Sequence, residues 1–364
     1  MKKYLIIILI TSLAAANAAA QGCVAIRSTG AVCTRQDAEH DANGKGWQLN
    51  TSYRYFKSFR HFVGTEEQKE RTQQNTEVIN WSHSMTFSLV RHLSNRWSLS
   101  LDVPVLAYTR SSLYEHAGNS AGPGGRHKTR SFGLGDIRVA AYRWLLDPMK
   151  SMKGNVQVGF GLKLATGDYQ YQDFFVKGDG TKVLGPVDQS IQLGDGGTGF
   201  TTEVNAYYNF NKTIGVYGNG YYLINPREQN GTSTARGGTP SATAITYGTS
   251  TMSVPDQFMA RLGANVNVQK LGFSLGGRVE GIPSKDLVGG SSGFRRPGYV
   301  VSIEPGMSLT FRKVTAFVTV PVAVKRDRTQ SYSDKLRTAA TGTYTQGDAA
   351  FADYLVSIGF NVKL

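Results

Sequence analysis

Residues 299–311 read YVVSIEPGMSLTF. Tyr299, Val301, Ile303, Met307, Leu309 and Phe311 fall on one side of an extended chain. Ser302, Glu304, Gly306, Ser308 and Thr310 fall on the other. Side chains alternate with period two along a strand, so such a run describes a strand held between an apolar and a polar environment. FMARLGANVNV (258–268) repeats the pattern, with Arg261, Gly263, Asn265 and Asn267 opposite an apolar row. FTTEVNAYYNF (200–210) sets Glu203, Asn205 and Asn209 against Phe200, Val204, Ala206, Tyr208 and Phe210. In FSLGGRVEGI (273–282), Arg278 and Glu280 share the polar side and Val279 lies opposite them. A sandwich core would not accept that pair, but a polar lumen would.

Runs of ten or more residues exceed the five or six of an ordinary soluble strand. Aromatic residues stand near their ends at Trp47, Trp97, Phe210, Tyr299 and Phe311, as in the girdles of a membrane barrel. The connections alternate too. LSNR (93–96), FNKT, VQKL and FRKV are short, whereas the segments between them are long and polar, including SKDLVGGSSGFRRPG and QSYSDKLRTAATGTYTQGD. Short turns at one end and long loops at the other are the asymmetry of outer-membrane barrels. The expectation is an all-β protein, an antiparallel transmembrane β-barrel of about twelve strands. The last of these, DYLVSIGFNVKL (353–364), carries the apolar row Tyr354, Val356, Ile358, Phe360, Val362 and Leu364 that barrel-assembly machinery reads. Closing the last strand on the first removes the exposed edges.

The chain begins with Lys2 and Lys3, an apolar run from Tyr4 to Leu13 and the small-residue stretch AAANAAA. This is the pattern of a cleaved signal peptide, residues 1–20. Residues 21–46 form an N-terminal periplasmic or plug segment and 47–364 the barrel. The two cysteines, Cys23 and Cys33, lie in that short segment, and an oxidising compartment favours a disulfide between them. Ala20 stands where a lipoprotein signal would place Leu, which speaks against acylation of Cys23. The predicted address is therefore the Gram-negative outer membrane, reached through the periplasm.

Mean hydropathy is −0.27, which suits a barrel as well as a soluble protein because every second residue faces water. The net charge is +14, or +12 once Lys2 and Lys3 are removed. Exported chains do not meet nucleic acid, so the excess points to lipopolysaccharide phosphates, to anionic solutes or simply to solvated loops. Its clusters are RHKTR (126–130), FRRPG (294–298) and KRDRT (325–329).

SFGLGDIRVAAYRWL (131–145) resembles a family of outer-membrane transporters known as meta-pathway phenol-degradation proteins. The matching residues are Gly133, Leu134, Gly135, Asp136, Arg138, Tyr142 and Arg143. GFGLKLATGDY (159–169) and QLGDGGTGF (192–200) resemble two further stretches of that family. The likeness spans the barrel and is nearest to uncharacterised members of the Bacteroidetes type. It implies passage of small, aromatic or hydrophobic molecules.

Several groups could carry other chemistry. His92, Ser94 and Asn95 resemble the string of an outer-membrane lipid hydrolase, but the sequence places them in a short periplasmic turn with no carboxylate partner. Glu280 and Glu304 could form a hydrolytic pair, but interleaved with Arg261, Arg278 and Lys163 they read more simply as a salt-bridged ladder. Asp173, Asp179, Asp188 and Asp195 lie in one Gly-rich loop that could offer oxygen ligands to Ca²⁺, without the spacing of a known calcium loop. No zinc spacing or phosphate-binding loop is present in the sequence, so it calls for no cofactor, no metal and no catalytic residue. The expected function is passive or facilitated passage of small solutes past a charged lumen. Its expected lining is Asp102, Arg138, Lys163, Glu203, Tyr217, Tyr221, Arg261, Arg278, Glu280 and Glu304. The alternative is a closed barrel that binds partners or surface lipid through its basic loops.

Overall fold

The computed structural model describes residues 45–117, 119 and 126–364. The signal peptide and the Cys23–Cys33 pair lie outside the described residues. Twelve staves, each antiparallel to its neighbours, close into a barrel. They are β1 (Gly46–Val63), β2 (Ile79–His92), β3 (Trp97–Ser111), β4 (Thr129–Leu134, continuing as Arg138–Trp144), β5 (Gly154–Lys163) and β6 (Gly199–Asn209). The series continues with β7 (Ile214–Ile224), β8 (Gln257–Val268), β9 (Leu271–Ile282), β10 (Gly298–Phe311), β11 (Val314–Thr319, continuing as Val322–Asp327) and β12 (Ala349–Lys363). β12 pairs with β1 from Gln48↔Lys363 to Phe62↔Ala349, so no stave keeps an open edge.

The period-two pattern orients every stave. Leu262, Phe132 and Phe160 are the most exposed large apolar side chains of the wall, on its outer face at 72%, 68% and 66%. Arg261, Arg278 and Glu280, one position away or alternating, point inward and are buried. This is an inverted protein, apolar outside and polar inside, as a bilayer requires. At the short-turn end, cations lie over the girdle rings: Arg91 over Trp47, Arg143 over Trp97, Lys153 over Tyr208 and Lys270 over Phe311, at 4.8–5.6 Å. These pairs set an amphipathic belt at one membrane interface.

The turns are stapled locally. The Ser94 hydroxyl accepts the N–H groups of Arg96 and Trp97 at 3.3 and 3.2 Å, and Arg96 donates to the Trp144 carbonyl at 3.0 Å. Ser94 therefore acts as a turn cap. At the other end the long loops build their own hairpins, Gln172–Val176 with Lys182–Pro186 and Gln229–Ser233 with Thr251–Ser253.

All three basic clusters are less solvated than their sequence suggests. Arg126 is buried against Glu77 at 2.7 Å, Arg295 against Asp286 at 2.6 Å, and Arg328 pairs with Asp334 at 3.0 Å. These arginines staple loops together, because a buried guanidinium needs a carboxylate and the loops supply one. His127, Lys128 and Arg130 remain exposed.

Candidate functional site: the barrel lumen

The three stretches that resemble known transporters meet at one point inside the barrel. β4 is interrupted at Gly135–Ile137, and there Asp136 turns inward. Its carboxylate accepts the Gly167 N–H at 3.0 Å and the Asp195 N–H at 3.2 Å. Thr166 closes the same gap, accepting from the Ile137 N–H at 2.8 Å and donating to the Gly135 carbonyl at 3.1 Å. The Asp168 carbonyl accepts the N–H of Leu193 at 3.1 Å. The backbones at Gly167 and Gly194 approach so closely that a Cβ on Gly167 would stand 2.6 Å from the Leu193 carbonyl oxygen. Glycine is required there by contact with a neighbouring main chain. Lys163, the last residue of β5, completes the knot by bridging Asp136 at 3.5 Å and Asp195.

This knot holds the segment 187–198 inside the barrel. Val187, Ile191 and Leu193 are nearly fully buried against Leu106 and Tyr108, on the inner wall of β3, and against Tyr171. At the other end Asp188 accepts both terminal nitrogens of Arg296 at 2.9 and 2.8 Å and lies 3.3 Å from Arg110. Ser190 donates its N–H and hydroxyl to the same carboxylate at 3.0 and 2.8 Å. Burial alone would push the Asp188 carboxyl up. Arg110 and Arg296, with the Ser190 N–H, hold it well below the usual carboxylate range instead.

Two cavities lie end to end on either side of this segment. Along β1 the inward residues Gln48, Asn50 and Ser52 line the first, and Arg54, Phe56 and Ser58 line the second. Along β2 the division falls between Thr86 and Ser84. The first cavity, of ≈ 270 Å³, reaches from His92 and Ser98 at the short-turn end up to Lys163 and Arg278. The second, of ≈ 90 Å³, lies under Ser190, Gln192 and Arg296 on the long-loop side. Asp195 and Gln257 line both.

The expected lumen residues all project inward, and the charged ones fall in three clusters. Arg138 bridges Asp102 at 2.7 Å and Glu203, and Tyr142 donates to Glu203 at 3.1 Å. Arg278 pairs with Glu280 at 2.7 Å and with Glu304 at 3.3 Å, while Arg261 pairs with Glu304 at 3.1 Å. Lys163 does not join that ladder, since its partners are Asp136 and Asp195. Asp102, Arg138, Lys163, Glu203, Tyr221, Arg261 and Arg278 line the larger cavity.

Tyr217, Glu280 and Glu304 do not line it. The Tyr217 hydroxyl lies over Gly263 and Gly276, where added Cβ atoms would stand 2.6 and 2.7 Å away. Its ring therefore fills a slot in the wall. Glu280 and Glu304 are covered by the arginines they neutralise. Sequence reasoning missed Arg54, 3.8 Å from Glu280, although its inward parity between Tyr53 and Tyr55 marks it. It also missed Asp136, Asp188 and Asp195 as lumen groups. The four loop aspartates do not converge: Asp173 accepts the Arg130 N–H at 2.7 Å, Asp179 accepts from Thr181, and Asp188 and Asp195 bind the cations described above.

No family model matches the sequence, and no curated protein matches it. Among solved structures, an outer membrane channel from Pseudomonas putida F1 superimposes with a TM-score of 0.54 at 11% identity, over 88% of this chain and 96% of that one. The β domain of the Bordetella autotransporter BrkA gives 0.43 at 10% identity, over 88% and 100%. The translocator domain of the autotransporter NalP from Neisseria meningitidis gives 0.41 at 11%, over 90% and 92%. At these identities the likeness is one of fold.

Proposed function

We propose that this protein is an outer-membrane channel for small solutes and that the segment 187–198 sets the limit on what passes. The observation that carries this is the pair of cavities lying end to end on the same inward faces and sharing Asp195 and Gln257. A barrel built only as a scaffold has no need of a polar cavity reaching one mouth. The lining is mostly hydroxyl, amide and paired charge, with apolar patches at Val90, Leu106, Leu223 and Phe317. It suits solutes that carry polar groups on a small apolar or aromatic body, which accords with the transporter family that the sequence resembles. Paired charges in the wall offer hydrogen bonds without trapping an ion, as a conducting path requires.

The apolar row of β12 suits delivery by barrel-assembly machinery from the periplasm. The role of a non-catalytic pore accords with Ser94 serving as a turn cap. Proteoliposome swelling with sugars and aromatic acids of increasing size tests the reading. Flux that falls off sharply with solute size supports it. Absence of flux for every solute, with the barrel correctly folded, would instead favour the closed barrel that binds through its loops.

A further inference from the structure

The outer wall carries a row of cations where an apolar surface should end. Register places Lys57 of β1 beside Trp81 of β2, Trp81 beside Thr109 of β3, and Thr109 beside Arg130 of β4. All four positions share the parity of the lipid-facing row. One rung nearer the membrane centre the same staves present Tyr55, His83, Ala107 and Phe132. The cations thus sit directly above an aromatic rung, at the long-loop end.

Their geometry is ordered. The Lys57 ammonium lies 4.8 Å from the Phe59 ring centroid and 5.9 Å from that of Trp81. The Lys128 ammonium lies 4.9 Å from Trp81, so two cations flank one indole. Among the described residues none of Lys57, Lys128 and Arg130 forms an ion pair with a carboxylate, whereas Arg60, one turn of the wall away, pairs with Glu67 and Asp353. Asp173 is the nearby acid, and it accepts the Arg130 backbone N–H. An open cleft lined by His127, Lys128, Arg130, Tyr171 and Asp173 adjoins the row. With adjacent strands about 4.8 Å apart, the row spans about 14 Å. Elsewhere at this end the described outer wall presents Phe200, Phe258 and Tyr299, with Lys325 over the Tyr299 ring.

Unneutralised cations at headgroup depth attract anionic lipid. The geometry points to a binding site for the phosphate groups of outer-leaflet lipopolysaccharide, formed by Lys57, Lys128 and Arg130 around Trp81. The site rests on the outer-membrane placement proposed above and is independent of whether solutes cross the lumen. Each cation contributes about fivefold to binding at an anionic surface, so losing three lowers it about a hundredfold.

The test uses the purified full-length barrel, with lipid retention after detergent washing read by native mass spectrometry. Wild type is expected to retain bisphosphorylated lipid A and to lose it when the lipid is first dephosphorylated. The triple variant Lys57→Gln/Lys128→Gln/Arg130→Gln, verified as folded by heat-modifiable migration, is expected to retain about a hundredfold less. Lys325→Gln should behave as wild type. Inorganic phosphate at equal concentration should not displace the lipid. Equal retention of the dephosphorylated lipid by wild type, equal retention by the triple variant, or displacement by free phosphate overturns the assignment.

Discussion

Replacing Ile191 and Leu193 by serine should widen the channel far more than replacing Asp188 by asparagine. Two sets of contacts hold the segment 187–198 in the lumen. The apolar set buries Val187, Ile191 and Leu193 to 0%, 1% and 3% exposure. At about 2 kcal/mol for each large side chain kept from water, the Ile191/Leu193 pair contributes about 4 kcal/mol to the in-folded state. The ionic set is weaker in net terms. Removing one partner of a buried ion pair costs about 3–5 kcal/mol when the other is stranded. Here Arg110 keeps Glu115 at 2.9 Å, and Arg296 is 15% exposed over the Phe294 ring. A cost of about 1–2 kcal/mol is the appropriate scale for Asp188→Asn. The double serine variant should therefore shift the balance between in-folded and displaced segment by about a thousandfold, and Asp188→Asn by about tenfold. Planar-bilayer recordings read both as unit conductance and open time. A double serine variant that migrates as a folded barrel yet conducts like wild type would refute the reasoning, as would a larger effect from Asp188→Asn.

Three further outcomes are expected. Because the Asp188 carboxyl is held below its ordinary value in the folded protein, it stabilises the in-folded segment above about pH 3.8 and loses that contribution as pH falls through its lowered value. The part of the conductance that depends on this carboxylate should thus be constant from pH 7 to about pH 4 and change only at more acid pH, which bilayer recordings of wild type against Asp188→Asn in a buffered pH series will follow. Glu304→Gln removes the partner of both Arg261 and Arg278 and should cost about 2–3 kcal/mol, softened by water in the adjoining cavity, read as a lowered urea midpoint in detergent. Gly159→Ala places a Cβ 2.5 Å from Cε1 of Tyr142 and should cost about 1–3 kcal/mol by the same assay, with the loss relieved in a Tyr142→Ala background.

The barrel and its inward row were legible because alternation is a local property. A single residue out of phase would have turned Arg278 to lipid, so the sequence had little freedom to mislead. The turn asymmetry likewise needs only segment lengths. The partners of each charge were less accessible, since they depend on register between staves. Glu304 lies across from Gly276 of β9 and reaches Arg261 two staves away. Tyr217 and Tyr221 share parity on β7, and only the placement of Gly263 and Gly276 beneath one of them makes it wall and the other lining. The in-folded segment was the hardest to read. VDQSIQLGDGG has no helical or strand period, and its path follows from Asp136, Lys163 and Asp195, which lie far apart in the chain.

The most direct test of the channel reading is the single-channel conductance of the barrel with residues 188–194 replaced by a short Gly–Ser link. If the lumen is a path narrowed by that segment, wild type will show small discrete current steps and the replaced barrel will show larger ones. A folded barrel of either form that carries no current would contradict the account.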